Sequence, residues 1–148
     1  MGEHIILTNN IENKQNYILL VDDEDYILNL FCDCLQTAGY NIVVFDNPLE
    51  ALKYLNKDEN IITNCSLVIS DYRMPQMSGI DFLEKIREKD TNCKVKIILS
   101  NAFIRTDLIL DNARINSLGI DKIIEKPIRL DTLKHEVQKL VNPIPLTK

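Results

Sequence analysis

From Tyr17 onward the chain alternates between two hydrophobic rhythms. Short continuous apolar runs, the length of a strand buried on both faces of a parallel sheet, are each followed by apolar residues every three or four positions, the stripe of an amphipathic helix. Tyr17–Val21 reads YILLV and predicts the first strand. Asp22-Asp23-Glu24-Asp25 follows, then a stripe of Ile27, Leu30, Phe31, Cys34 and Leu35 that lies on one helix face. Gly39 supplies the left-handed cap that ends this helix. Asn41–Phe45 predicts a second strand, and Asn47-Pro48 opens a helix with Leu49, Leu52 and Leu55 turned inward. Ser66–Ser70 is the third strand, followed by a loop through Ser78 and a helix carrying Ile80, Leu83 and Ile86. Val95–Leu99 is the fourth strand, leading to a helix from about Phe103 to Leu118 that Gly119 stops. After a short fifth strand, Lys122–Ile124, come Lys126-Pro127 and a last helix with Leu130, Leu133, Val137 and Leu140.

Five strands alternating with five helices imply right-handed crossovers and a doubly wound α/β domain with a five-stranded parallel sheet. This domain spans residues 17–141, between an N-terminal tail (1–16) and a C-terminal tail (142–148). The first tail is polar and Asn-rich apart from a short HIIL run, and reads as a free end or a single docked segment. The even spacing of Gly39, Gly79 and Gly119 is not a repeat, because the first and last close helices while Gly79 opens one.

At 148 residues, with 45% hydrophobic and 26% charged residues, the chain has the size and mix of one soluble domain able to build a single core. Seventeen basic against 22 acidic residues give a net charge of −5, which argues against direct nucleic-acid binding by bulk electrostatics. Four scattered glycines exclude a P-loop or a dinucleotide-binding turn. No run approaches the roughly 20 apolar residues of a membrane span, and the N-terminus lacks the pattern of a secretion signal. Cys32, Cys34, Cys65 and Cys93 form neither a zinc motif nor a disulfide framework, so reduced thiols in the cytoplasm are expected.

In open α/β sheets the functional groups gather beyond the carboxyl ends of the strands. Asp22 and Asp23 follow the first strand, Asp71 the third, Ser100 and Asn101 the fourth, and Lys126 the fifth. Asp46 follows the second, which a flavodoxin-like order (2-1-3-4-5) puts at the sheet edge. Three carboxylates at one edge repel unless a cation joins them, and hard oxygen donors without His or Cys suit Mg²⁺. A lone Asp beside an acidic pair, a hydroxyl and a lysine suits phosphoryl transfer to that Asp. Taken singly, these residues have plainer roles: Asp22–Asp25 as an acidic helix start, Asp71 as a turn initiator, Ser100-Asn101 as a helix cap, Lys126 as a surface lysine. Their joint position at successive strand ends is what favours a site.

The segments ILLVDDED, SLVISDYRMPQMSGIDFL, KIILSNA and IIEKPI, in that order, resemble a response-regulator receiver domain of bacterial two-component systems, chemotaxis-regulator-like. The resemblance covers nearly all of residues 17–141 and is most specific in the loop from Asp71 to Gly79. It implies that Asp71 is the phosphoacceptor and that Asp22, Asp23, Asp71 and the Arg73 backbone carbonyl hold Mg²⁺, Asp22 mainly through a bound water. Ser100 and Lys126 are implied to engage the phosphoryl group, and the bond before Pro127 is expected to be cis. The implied donor is a sensor histidine kinase or a histidine phosphotransfer protein. Output is expected through a downstream protein on the face of the fourth helix, fifth strand and fifth helix, with no membrane or nucleic-acid contact. Such a chain is a regulated phosphoacceptor with slow autodephosphorylation and not a conventional enzyme.

Several positions depart from the family pattern. Ile123 stands where the family places its switch aromatic, Asn101 where it commonly places Ala or Gly, and Ile128 where Phe often follows Lys-Pro. Arg73, Asn101 and Ala102 occupy positions that tune the site. These departures leave a pseudo-receiver, an interaction module without the chemistry, as the alternative. A haloacid-dehalogenase-like phosphatase wants a second Asp where Arg73 stands, and a flavodoxin-like cofactor site wants Ser, Thr and Gly where Asp22-Asp23 stands. Ile104, Leu108, Ile109, Leu110 and Ile115 put apolar residues on more than one face of the Phe103–Leu118 helix, as core or as partner surface.

Overall fold

Tyr17–Val21 (β1), Ile42–Phe45 (β2), Cys65–Asp71 (β3), Lys96–Asn101 (β4) and Lys122–Glu125 (β5) pair in parallel as one sheet in the order β2-β1-β3-β4-β5. The computed structural model describes residues 16–102 and 109–143. Its helices are Asp25–Thr37 (α1), Pro48–Leu55 (α2), Glu59–Thr63 (α3), Gly79–Lys89 (α4), Asn112–Leu118 (α5) and Leu130–Leu140 (α6). This is the flavodoxin-like doubly wound topology, with six helices among the described residues where five were expected.

The sixth helix is α3, five residues long and too short to display an apolar stripe. It is recognisable only by its cap: the Asp58 side chain accepts the Asn60 N–H at 2.9 Å, and Ile62 is buried beneath it. The fourth predicted helix is only partly described. Residues 103–108, including Ile104 and Leu108, lie outside the described residues, and α5 begins after a turn at Asp111. Ile115 and Leu118 enter the core, whereas Ile109 and Leu110 are 78% and 75% exposed.

Period-two alternation sends the strand side chains to two cores. Leu19, Val21, Val43, Val68, Ile97 and Leu99 pack against α2, α3, α4 and α5. Ile18, Leu20, Ile69, Ile98 and Ile124 pack against α1 and α6. Packed on the sheet with α6 beside it, α1 buries Leu28, Phe31, Cys32 and Leu35, a face rotated from the predicted stripe, so Ile27, Leu30 and Cys34 are only half-buried. In α2, Pro48, Ala51 and Leu55 point inward while Leu49 is exposed, because the helix turns the small Ala51 onto the sheet. Gly39 and Gly119 carry φ of 99° and 66° at helix ends, the conformation expected of them. All four cysteines are free.

Candidate functional site

The strands reach further than their apolar runs. Asp71 is the last residue of β3, and Ser100 and Asn101 close β4, because the ladder pairs Asp71 with Ser100 and Asn101 with Glu125. Ser100-Asn101 is therefore strand, not a helix cap. Counting two residues on from Leu20, Ile69, Ile98 and Ile124, all on the α1–α6 face, reaches Asp22, Asp71, Ser100 and Lys126. Parallel pairing then brings these four to one sheet edge. Ile123 has the opposite parity and is half-buried against the core of the other face.

Carboxylate oxygens of Asp22, Asp23 and Asp71 all lie within 4.8 Å of one another. Asp22 and Asp71 are buried and Asp23 is exposed, so solvent reaches the cluster past Asp23. Lys126 Nζ stands 2.9 Å from Asp22, 3.3 Å from Asp71 and 3.4 Å from Glu24. Backbone bonds hold these groups in place. The Glu24 N–H donates to Asp22 Oδ1 at 2.9 Å, and Lys126 N–H donates to the Asn101 carbonyl at 2.9 Å. Tyr72 N–H serves both Asp71 Oδ1 at 3.0 Å and the Ser100 carbonyl at 2.8 Å. The peptide bond before Pro127 is cis.

Electrostatics follow from burial and crowding. Desolvation, reinforced by the neighbouring Asp22 charge and opposed by Lys126, pushes the Asp71 carboxyl up to about 7. Desolvation also raises Asp22, against the pull of the Glu24 N–H and of Lys126. Burial alone lowers the affinity of Lys126 for its proton, but the Asp22 and Asp71 carboxylates outweigh it and the net shift is upward. One ammonium does not balance this acidic cluster. Clustered hard oxygen donors, with an exposed member open to water, fit a small dication that keeps part of its hydration shell.

Gly79 N–H donates to the Tyr72 carbonyl at 2.6 Å, and a Cβ on Gly79 would lie 2.1 Å from the Asp71 carbonyl oxygen. The glycine that opens α4 thus lets the loop return onto the end of β3, a role beyond helix start. Of the remaining positions, Asn101 is buried, Arg73 and Ala102 are exposed, and Asp46 lies half-buried after the edge strand β2. Glu24 was legible only as part of an acidic helix start. Its side chain makes no cap bond and turns instead to Lys126.

Comparison with known proteins agrees with this architecture. The family profile described as response regulator receiver domain matches residues 18–138. The chain is 30% identical over 131 residues to the chemotaxis protein CheY-3 of Vibrio cholerae, covering 88% of this chain and 95% of that one. It is 29% identical to the sensor histidine kinase RcsC of Escherichia coli over 83% of its own length but only 12% of RcsC, so related domains also occur as segments of far longer proteins. Among solved structures, the response regulator TrrA of Thermotoga maritima, in complex with Mg²⁺-BeF, is 36% identical with a TM-score of 0.67, covering 86% of this chain and all of TrrA. The profile spans the sheet and nearly all of its helices, and the strand order agrees with it: the chain belongs to the response regulator receiver family of two-component systems.

Proposed function

We propose that this receiver is a phosphoacceptor that takes a phosphoryl group onto Asp71 from a phosphohistidine. The observation that supports this is the Asp71 carboxylate itself, buried at a strand end, within 4.8 Å of the Asp22 and Asp23 oxygens and 3.3 Å from the Lys126 ammonium. Asp71 Oδ attacks phosphorus, the N–P bond of the donor breaks, and its electron pair returns to the imidazole nitrogen. Asp22, Asp23, Asp71 and the Arg73 carbonyl would hold Mg²⁺, which would supply charge neutralisation for the phosphoryl oxygens. Lys126 pairs with a phosphoryl oxygen, and the Ser100 hydroxyl donates to the group once it is in place.

Loss of the phosphoryl group by slow hydrolysis makes this a regulated switch and not a turnover enzyme. The donor is a sensor histidine kinase or a phosphotransfer protein, in the cytoplasm. Output runs through a partner docked on the α5–β5–α6 side, where the exposure of Ile109 and Leu110 supplies apolar surface. Half-buried Ile123 and buried Asn101 favour the second reading, a pseudo-receiver that binds partners without phosphorylation.

Intact-protein mass after incubation with acetyl phosphate, with and without Mg²⁺, separates the two. A single Mg²⁺-dependent phosphoryl adduct, absent in Asp71→Asn, is expected. No adduct from either acetyl phosphate or a phosphohistidine donor, in a folded protein, would leave the pseudo-receiver.

A further inference from the structure

Lys126 is shared among more carboxylates than the phosphoryl chemistry uses. Its Nζ lies 2.9 Å from Asp22 and 3.3 Å from Asp71, and both partners are buried. Its third partner, Glu24 Oε1 at 3.4 Å, belongs to a side chain that is 58% exposed. The main chain of Glu24 is pinned because its N–H donates to Asp22 Oδ1 at 2.9 Å. The Glu24 carboxylate is thereby placed on the solvent side of the site, beside the ammonium. Glu24 is needed neither to hold Lys126, which Asp22 already holds more closely, nor to cap α1, since its side chain makes no cap bond.

We infer that Glu24 is a positioning residue that restrains phosphoryl loading of Asp71, by competing with the incoming phosphoryl group for Lys126 and by repelling anionic donors. The inference rests on the phosphoacceptor reading above and adds to it a determinant of donor preference. Two forces act in the same direction. While Lys126 is paired to Glu24 it is less free to meet a phosphoryl oxygen, and the Glu24 charge adds to the field of Asp22 and Asp23 against a dianion. A donor that brings its own basic groups cancels the second force, whereas a small anionic donor has nothing to cancel it with. Glu24 therefore favours a protein donor over free acyl phosphates. Because the pair is exposed, its effect is modest and sensitive to salt.

The test is the rate of adduct formation from acetyl phosphate, in which Asp71 Oδ attacks phosphorus, the P–O bond to the acyl group breaks and acetate leaves. Wild type, Glu24→Gln and Glu24→Asp are compared at fixed free Mg²⁺. Gln keeps the reach of the side chain and removes its charge, while Asp keeps the charge and shortens the reach to Lys126. Glu24→Gln is expected to load roughly two- to fivefold faster at low salt, with the gain shrinking as salt rises from about 20 mM to about 500 mM. Glu24→Asp is expected to fall between the two, having lost the competition for Lys126 but kept the repulsion. Loading of Glu24→Gln at the wild-type rate, with the wild-type salt dependence, overturns the inference and leaves the phosphoacceptor reading intact. A wild-type protein that forms no adduct at all overturns both.

Discussion

Asp71→Asn should stabilise the metal-free protein, and the gain should grow with pH. The Asp71 carboxyl titrates at about 7 in the folded protein because burial and the Asp22 charge outweigh Lys126. In the unfolded chain it returns to roughly 3.9. Between those values the folded state binds a proton that the unfolded state has lost, so stability falls as pH rises from about 4 to about 7 and is flat beyond. Each tenfold change in proton affinity is about 1.4 kcal/mol, so the ionised carboxylate destabilises the fold at neutral pH by at most about 4 kcal/mol. Solvent entering past exposed Asp23 and relaxation of the acidic pair reduce this to about 2 kcal/mol. Asn keeps an acceptor for the Tyr72 N–H, which lies 3.0 Å from Asp71 Oδ1, and Lys126 keeps Asp22 at 2.9 Å. Little is therefore lost against the gain. Urea and thermal unfolding in chelator, from about pH 5 to pH 8, should show the variant melting about 5–8 °C higher at the alkaline end, with the gap narrowing toward pH 5. Millimolar Mg²⁺ should narrow the gap at pH 8, because a dication that binds the folded wild type preferentially raises its stability. A variant less stable than wild type at pH 8 without metal, or a gap independent of pH, would refute the account of Asp71 as a desolvated and repelled carboxylate.

Two further substitutions test the packing around the site. Gly79→Ala should destabilise by about 2–3 kcal/mol in urea unfolding and slow phosphoryl loading, because its Cβ meets the Asp71 carbonyl oxygen at 2.1 Å; the helix-propensity gain of roughly 1 kcal/mol is too small to offset that clash. A neutral or stabilising result would mean that the loop yields freely. Arg87→Met and Arg114→Met set burial against number of charged partners. Arg87, 14% exposed, bonds Asp90 at 2.9 Å and the Val95, Leu118 and Gly119 carbonyls, so its loss should cost about 2–4 kcal/mol. Arg114 clasps Asp81 and Glu84 and lies 3.8 Å from a third carboxylate, Asp111, but is 40% exposed, and its loss should cost less than about 1 kcal/mol. Equal losses would refute the weighting by burial.

How much of this was legible in the sequence depends on the range of each interaction. The five strands and their alternation with helices were readable because each is a local pattern, an apolar run or a stripe. Strand ends were read short, since Asp71, Ser100 and Asn101 are polar residues recruited into the sheet by the neighbouring strand. Nothing local marks that. The face of α1 was misjudged by one position for a similar reason: α6, about a hundred residues away in sequence, decides which flank is covered. The site itself was more legible than its surroundings, because parallel strands deliver their last residues to one edge and the two-residue period fixes the face. Asp22, Asp71, Ser100 and Lys126 share a parity, whereas a slip of one residue in β3 would turn Asp71 to the opposite core and leave Ser70 in its place. The hydrophobic pattern that forbids such a slip, with Val68 on one face and Leu67 and Ile69 on the other, is therefore also what aims the acceptor. Glu24 escaped this logic because it lies past the strand, where no parity applies. Its contact with Lys126 comes from an Asx-type bond that turns the chain back over the site, a geometry set by Asp22. The same carboxylate thus crowds the acceptor and holds the residue that shields it, so Asp22→Ala, which removes both the charge and the acceptor of the Glu24 N–H, should relieve the crowding of Asp71 and release Glu24 together, whereas Asp22→Asn should relieve the crowding and leave Glu24 in place.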